Sequence, residues 1–351
     1  MRPDDKSPIG SETEVTNLKI PNSIETKSVD NVGDLIQHIG ERKPFIVRGI
    51  VSDWPLVKAS QKSNDDARRY LLSFYEGRPC GVFRGKPEAG NYVTYTSEMD
   101  LNFIETSENL ASIFEDMKNS EFDACQSMIY SGSLEVRKHL PGFVDDNPFE
   151  FDRNSVRCSI WTGTKTRIPA HSDYTDNFAC VAAGQRHFIL FPPDQYKNLY
   201  LGPMHKTPAG RAISMVDFAN PDFEKYPRFS EALSTAYQAT LEPGDLIFIP
   251  SMWWHHVEGL QKFNILVNYW WHEDGAFLGE PEYALWHALW SIRDLPQDKK
   301  DFWKEMFDSY VFNHRPELFE HIPSNAMGIH EKLTPRTGNY LRRYLQTKLV
   351  R

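Results

Sequence analysis

His171 and Asp173 stand two positions apart in PAHSDYTDNF, residues 169–178. In an extended segment residues i and i+2 share a face, so this imidazole and this carboxylate can reach one point in space. A shared metal ion makes that demand. A third donor comes 84 positions after His171, in PGDLIFIPSMWWHHVEGL, where His255 is followed at once by His256. Pro243-Gly244-Asp245 reads as a turn and LIFIP as a buried strand, so the chain can return His255 beside the earlier segment. Taken singly, each residue reads more simply as a turn cap or a core histidine; together they point to a metal.

Two histidines and one carboxylate on one face of an ion leave the opposite face open, as in non-heme Fe(II) oxygenases, whose free positions take a keto acid and O2. A cupin of the other common kind shows His-x-His with a further Glu and His, and that pattern is not seen here. A keto acid with a second carboxylate needs a cation. Arg186, fifteen positions after His171 at the head of RHFILF and just past the turn Gly184-Gln185, offers a guanidinium that can grip a carboxylate through two parallel hydrogen bonds. Tyr130 in MIYSGSL offers a phenol for the same carboxylate. Asn177 and Asn268 lie on strand-like segments near the candidate ligands and can donate or accept within a pocket. Simpler readings are a surface arginine at a strand start, a buried tyrosine with a satisfied hydroxyl, and asparagines at strand bulges or edges.

These residues need a scaffold of strands. From about residue 80 short β-rich pieces follow one another between Gly, Pro, Asn and Asp: GVFRG, NYVTYT, SVRCSIWTGT, NFACVAA, RHFILF, AYQATL, DLIFIP and FNILVNYWW. Such a series predicts an antiparallel sandwich or barrel, including the jelly-roll form of cupins. PFIVRGIV reads as a further buried strand, and helices are expected at 64–75, 108–118 and 133–139. Residues 1–18 read as a flexible lead-in and 19–278 as the cupin-like domain with an N-terminal α/β extension. Residues 279–351 read as a helical region, with EYALWHALWSIRDL and DKKDFWKEMFDSYVFN as helices and a polar tail after them.

Composition excludes several classes. The 351 residues are 40% apolar and 13% aromatic, enough for a sizeable core. A formal charge of −9 makes a poor electrostatic match for nucleic acid or an anionic membrane. Cys80, Cys125, Cys158 and Cys180 are scattered without a CxxC pair and read as reduced core thiols. The polar start MRPDDKSPIGSETE lacks the apolar core of a signal peptide, and no run is long enough to span a membrane, so a cytoplasmic location is expected.

HSDYTDNFACVAAGQRHFILFPPDQ, VDFANPDFEKYPRF and PGDLIFIPSMWWHHVEGL with NILVNYWW together resemble the JmjC (cupin-8-like) 2-oxoglutarate oxygenases, and among them the asparaginyl-hydroxylase branch. The resemblance runs in order from about residue 125 to 275. It implies a mainly β fold, a double-stranded β-helix (jelly-roll, cupin) core with N-terminal α/β additions and a C-terminal helical segment. It implies Fe(II), 2-oxoglutarate and O2 as reactants, with His171, Asp173 and His255 as iron ligands and His255 in place of His256. Asn177, Asn268 and Tyr130 match family positions, and Trp270 matches an aromatic near the cosubstrate. Two departures stand out. The usual cosubstrate lysine is Arg186, and a hydroxyl residue three positions before the first ligand is Ile168, leaving Thr164 or Thr166 to supply that hydrogen bond. The segment Ser131-Gly132-Ser133 also lacks the glutamine that the branch places near its substrate.

The implied activity is hydroxylation of a C–H bond, with a protein or peptide side chain as the expected substrate. Alternatives are a small molecule or a tRNA base, the latter needing a basic groove near Lys165 and Arg167, or a cupin that binds metal without turnover. In the helical region Leu285, Leu289 and Ile292 form one apolar row and Trp286 with Trp290 another; Phe302, Met306, Tyr310, Trp303 and Phe307 repeat the theme. Either these rows are core, or they pair with their copies in a homodimer, which the resemblance implies.

Overall fold

A computed structural model of the chain describes residues 18–86, 90–123, 127–151, 156–272 and 277–350. Residues 1–17 of the expected lead-in and Cys125 lie outside them. The chain forms two compact units, Met1–Trp271 and His272–Arg351.

The first unit is built on fourteen strands: β1 (Asn22–Ser23), β2 (Glu25–Thr26), β3 (Phe45–Val47), β4 (Cys80–Gly85), β5 (Phe103–Glu108), β6 (Ile129–Glu135), β7 (Arg157–Gly163), β8 (Arg167–Ser172), β9 (Asp176–Ala183), β10 (Arg186–Phe191), β11 (Tyr237–Leu241), β12 (Leu246–Ile249), β13 (Trp254–Gly259) and β14 (Asn264–Trp271). They form a five-stranded sheet, β1-β11-β10-β13-β8, and a nine-stranded sheet, β2-β3-β12-β9-β14-β7-β6-β4-β5. From β7 onward the chain passes between the sheets at nearly every turn, and the result is a jelly-roll core.

The strand β9 shows why its sequence reads as a continuous apolar run. Successive side chains point to opposite faces. Ala179 and Val181 join Phe188, Leu190, Leu241, Ile247, Val257 and Leu266 in one cluster, which draws on both sheets and fills the barrel. Phe178, Cys180 and Ala182 join a second cluster with Leu56, Val57, Ala67, Leu71, Ile113 and Phe114 from helices Pro55–Lys62, Asn64–Leu72 and Leu110–Ser120. Proline at the first helical position opens the first of these helices, while Ser63 and Asn109 cap the other two. A strand covered on both faces needs no polar alternation.

Gly184 turns the chain from β9 into β10 at φ +70°, and a Cβ there would lie 2.4 Å from Asn264 Oδ1 and 2.6 Å from Phe263 O. Only glycine fits both the dihedral and the space. That turn delivers Arg186 to the start of β10.

Some expectations need correction. NYVTYT forms no strand; it makes only the isolated bridges Tyr92–Arg167 and Tyr95–Leu101, its backbone being held by Asn102 and Arg167. FIETSE forms strand β5, which the charged and exposed residues concealed. The polar tail contains a helix, Pro335–Leu349, opened by a capping box of Thr334 and Thr337.

In the second unit the helices Pro281–Ser291 and Gln297–Phe307 have no buried residue. Trp290 is 75% exposed and Phe302 58%, so the apolar rows are not core in a single chain. No described helix is long and apolar enough to cross a membrane. Cys80, Cys158 and Cys180 are free and buried.

Candidate functional site

His171 lies on β8 and His255 on β13, directly opposite one another in the antiparallel register. Their ring centroids are 4.3 Å apart. Asp173 follows β8, with one carboxylate oxygen 3.8 Å from His255 Nε2. One donor atom from each of the three lies within 4.8 Å of the others, and among the described residues this is the one such cluster.

The local hydrogen bonds set the ring orientations. His171 Nδ1 lies 2.9 Å from the Pro169 carbonyl, and His255 Nδ1 lies 3.0 Å from that of Trp253. A carbonyl can only accept, so each Nδ1 carries the proton and each Nε2 keeps its lone pair. Burial, and then the neighbouring His171, hold the His255 imidazole down at about 4, so it is neutral near pH 7. The loop carrying Asp173 is fastened to the turn before β13: Met252 N donates to Asp173 O at 2.8 Å, Ser251 N to Asp176 Oδ1 at 2.8 Å, and Ser251 Oγ to Tyr174 O at 2.7 Å. Arg42 holds the other oxygen of Asp176 at 2.9 Å. Two imidazoles and a carboxylate, converging and pre-oriented, suit a divalent transition metal. His256 points the other way. Its Nε2 bonds Glu258 at 3.0 Å and its ring stacks on Phe218 at 4.4 Å, on the outer face of the five-stranded sheet.

Arg186 is only 2% exposed, its Nε has no partner, and no carboxylate of the described residues pairs with it. Burial pulls its pKa down; the hydroxyl of Tyr130 is the group that opposes this. Tyr130 is itself pushed up to about 12 by burial, and it is near enough to Asp173 to feel that charge. A buried guanidinium without an anion carries a desolvation penalty that a bound carboxylate would remove. The residues present therefore fit a ligand with a terminal carboxylate, such as 2-oxoglutarate.

Asn268 Nδ2 donates to Asn177 Oδ1 at 2.9 Å, and Asn268 Oδ1 has no partner. Trp270, on the same face of β14 as Asn268, meets Trp161 edge to face at 5.7 Å and has the Arg157 guanidinium 5.4 Å from its ring. Thr164 and Thr166 do not take the place expected for them. Thr164 Oγ1 donates to Ser127 O at 3.1 Å, and Thr166 Oγ1 to Thr164 O at 3.0 Å, so both protons are spent on backbone. Arg167 pairs with Asp217 at 2.9 Å and covers Tyr92. Trp161, Asp176 and Ser251 were not singled out in the sequence; their partners are distant in the chain.

The sequence profile described as "Cupin-like domain" matches residues 35–277. The chain is 29% identical over 188 residues to tRNA wybutosine-synthesizing protein 5 of Gallus gallus, covering 48% of this chain and 56% of that one. It is 27% identical over 261 residues to human HSPB1-associated protein 1, covering 71% and 51%. It is 26% identical over 280 residues to JmjC domain-containing protein F of Dictyostelium discoideum, covering 67% and 58%. The chain thus spans about half the length of these curated relatives.

Proposed function

The chain belongs to the cupin-like domain family, and from that premise we propose that it is an Fe(II)- and 2-oxoglutarate-dependent dioxygenase that hydroxylates a C–H bond. One observation carries the reading: a convergent His171, Asp173, His255 cluster and an anion-seeking buried Arg186 share one barrel, with Tyr130 close to both. His171, Asp173 and His255 would hold iron, and Arg186 with Tyr130 would hold the far carboxylate of 2-oxoglutarate. Iron and 2-oxoglutarate, when bound, would supply with O2 the oxidant for an unactivated C–H bond, with succinate and CO2 as co-products. The protein's own part is placement. The Nδ1–H donations to Pro169 and Trp253 keep both imidazoles aimed, with Nε2 as the atom free to bind a metal. The Asn177–Asn268 pair and Trp270 line the face across from the ligands, where they orient what enters and exclude water.

The net charge of −9 favours a protein or peptide side chain as substrate over a nucleic acid. The likeness to a protein named for tRNA wybutosine synthesis makes a tRNA base the second reading. The test is a mass-spectrometric search for products one oxygen atom heavier after incubation with Fe(II), 2-oxoglutarate and separate peptide, metabolite and tRNA fractions. A peptide product supports the first reading and a tRNA product the second. No oxidised product in any fraction counts against both. Two copies of the chain associate, in this proposal, through the exposed apolar rows of Pro281–Ser291 and Gln297–Phe307.

A further inference from the structure

Trp161 sits on β7, two positions before Gly163, and its ring lies 5.9 Å from that of Tyr130 at an interplanar angle of 33°. Two glycines leave the space these rings fill. A Cβ on Gly132 would fall 2.3 Å from Trp161 Cζ3 and 2.5 Å from Cε3. A Cβ on Gly163 would fall 2.8 Å from Tyr130 Cδ2. Gly163 lies opposite Tyr130 in the β6–β7 register, while Gly132 lies in the bulge between Ser131 and Leu134. Trp270 closes the edge of Trp161 at 5.7 Å. The indole is therefore confined by Gly132, by Tyr130 and by Trp270, and it cannot swing aside without leaving Tyr130.

Among the described residues, the Tyr130 hydroxyl is the hydrogen-bonding group that acts on the Arg186 guanidinium. We infer that Trp161 is a positioning residue for the carboxylate pocket of Arg186, seated in the notch of Gly132 and acting through Tyr130. This builds on the reading of Arg186 as the group that holds the far carboxylate. Ile168 offers no hydroxyl, and those of Thr164 and Thr166 are engaged with backbone. Orientation of the pocket then falls to the aromatic pair. Trp161 keeps the Tyr130 hydroxyl on the guanidinium and keeps water from the charge, which strengthens its pairing with an incoming carboxylate.

The experiment measures binding by calorimetry on the Mn(II)-loaded full chain, with 2-oxoglutarate and with pyruvate, which chelates a metal in the same way but lacks the second carboxylate. Trp161→Leu should lower the preference for 2-oxoglutarate over pyruvate about tenfold, the worth of one well-placed polar contact, and Trp161→Phe should restore most of it. Gly132→Val should do the same in the native background and add nothing in the Trp161→Leu background, because the two substitutions act on one ring. An unchanged preference in Trp161→Leu and Gly132→Val overturns the inference, as does an equal loss of both ligands, which marks a general loss of structure. Failure of the native protein to prefer 2-oxoglutarate overturns instead the reading of Arg186 on which the inference is built.

Discussion

His171 and His255 face each other across the β8–β13 pair with rings 4.3 Å apart, and each spends its Nδ1 proton on the carbonyl two residues before it. The same i, i−2 bond on two strands leaves Nε2 as the free ring nitrogen of each, and that of His255 lies 3.8 Å from an Asp173 oxygen. Metal binding should follow from this arrangement alone. Replacing His171, Asp173 or His255 with Ala should abolish retention of Fe(II) or Mn(II) after dialysis, read by elemental analysis. His256→Ala should keep the metal while losing stability, since its ring is buried against Phe218 and bonded to Glu258. Metal retained by His255→Ala and lost by His256→Ala would reverse the assignment.

Arg186 should govern the affinity for dicarboxylates. Removing a charged hydrogen-bond partner costs about 1.5–3 kcal/mol, so Arg186→Ala should weaken 2-oxoglutarate binding by roughly one to two orders of magnitude. Arg186→Lys should recover part of that, keeping charge but not the planar fork. Calorimetric titration checks both, and an unchanged affinity in the Ala variant would assign the carboxylate to another cation.

Acid should destabilise the barrel through histidines buried in neutral form. Burial holds His187 down at about 4 against an ordinary 6.5. As pH falls through 6.5 the unfolded chain takes up a proton that the folded chain refuses until about 4, so stability is lost across that window as pH falls. Between pH 7 and pH 5 the cost from this one ring is about 2 kcal/mol. Denaturant melts at the two pH values should show His187→Gln losing less stability than the native chain. Equal losses would assign the acid sensitivity to other groups.

The exposed rows of the C-terminal unit should bury themselves against a second copy. Light scattering should give about twice the 40.7 kDa of one chain, and Trp290→Glu or Phe307→Glu should halve it. A single-chain mass for the native protein at micromolar concentration contradicts the homodimer.

Much of this site could be read before the fold because its strongest signals are local. His171 and Asp173 share a strand phase, PGDLIFIP announces a turn and a buried strand, and Gly184 marks the turn that presents Arg186. The choice of His255 over His256 comes from the family resemblance; strand phase says only that the two point to opposite faces, and the structure shows that His255 is the one meeting His171. The contacts that local pattern could not show are those between strands far apart in sequence. Trp161 reads as one more aromatic in a β segment until Gly132, 29 positions earlier, is placed against its ring. Thr164 and Thr166 have the right chemistry for a pocket, yet backbone carbonyls claim their protons. NYVTYT has strand composition but makes only two isolated bridges, whereas FIETSE pairs along its length with β4 despite its charges. The helix Pro335–Leu349 was signalled by Thr-Pro-Arg-Thr at 334–337, a capping sequence easily lost in a polar tail.

The central claim is turnover of 2-oxoglutarate at the His171, Asp173, His255 centre. Its most direct measurement is succinate formed from 2-oxoglutarate under air by the purified chain, with Fe(II), with a chelator, and in the His171→Ala variant. Succinate should accumulate with Fe(II) and should fall to background with the chelator or in the variant. Absence of succinate from folded, iron-loaded native protein supplied with its oxidisable fraction would contradict the account, and so would formation at the same rate in folded His171→Ala.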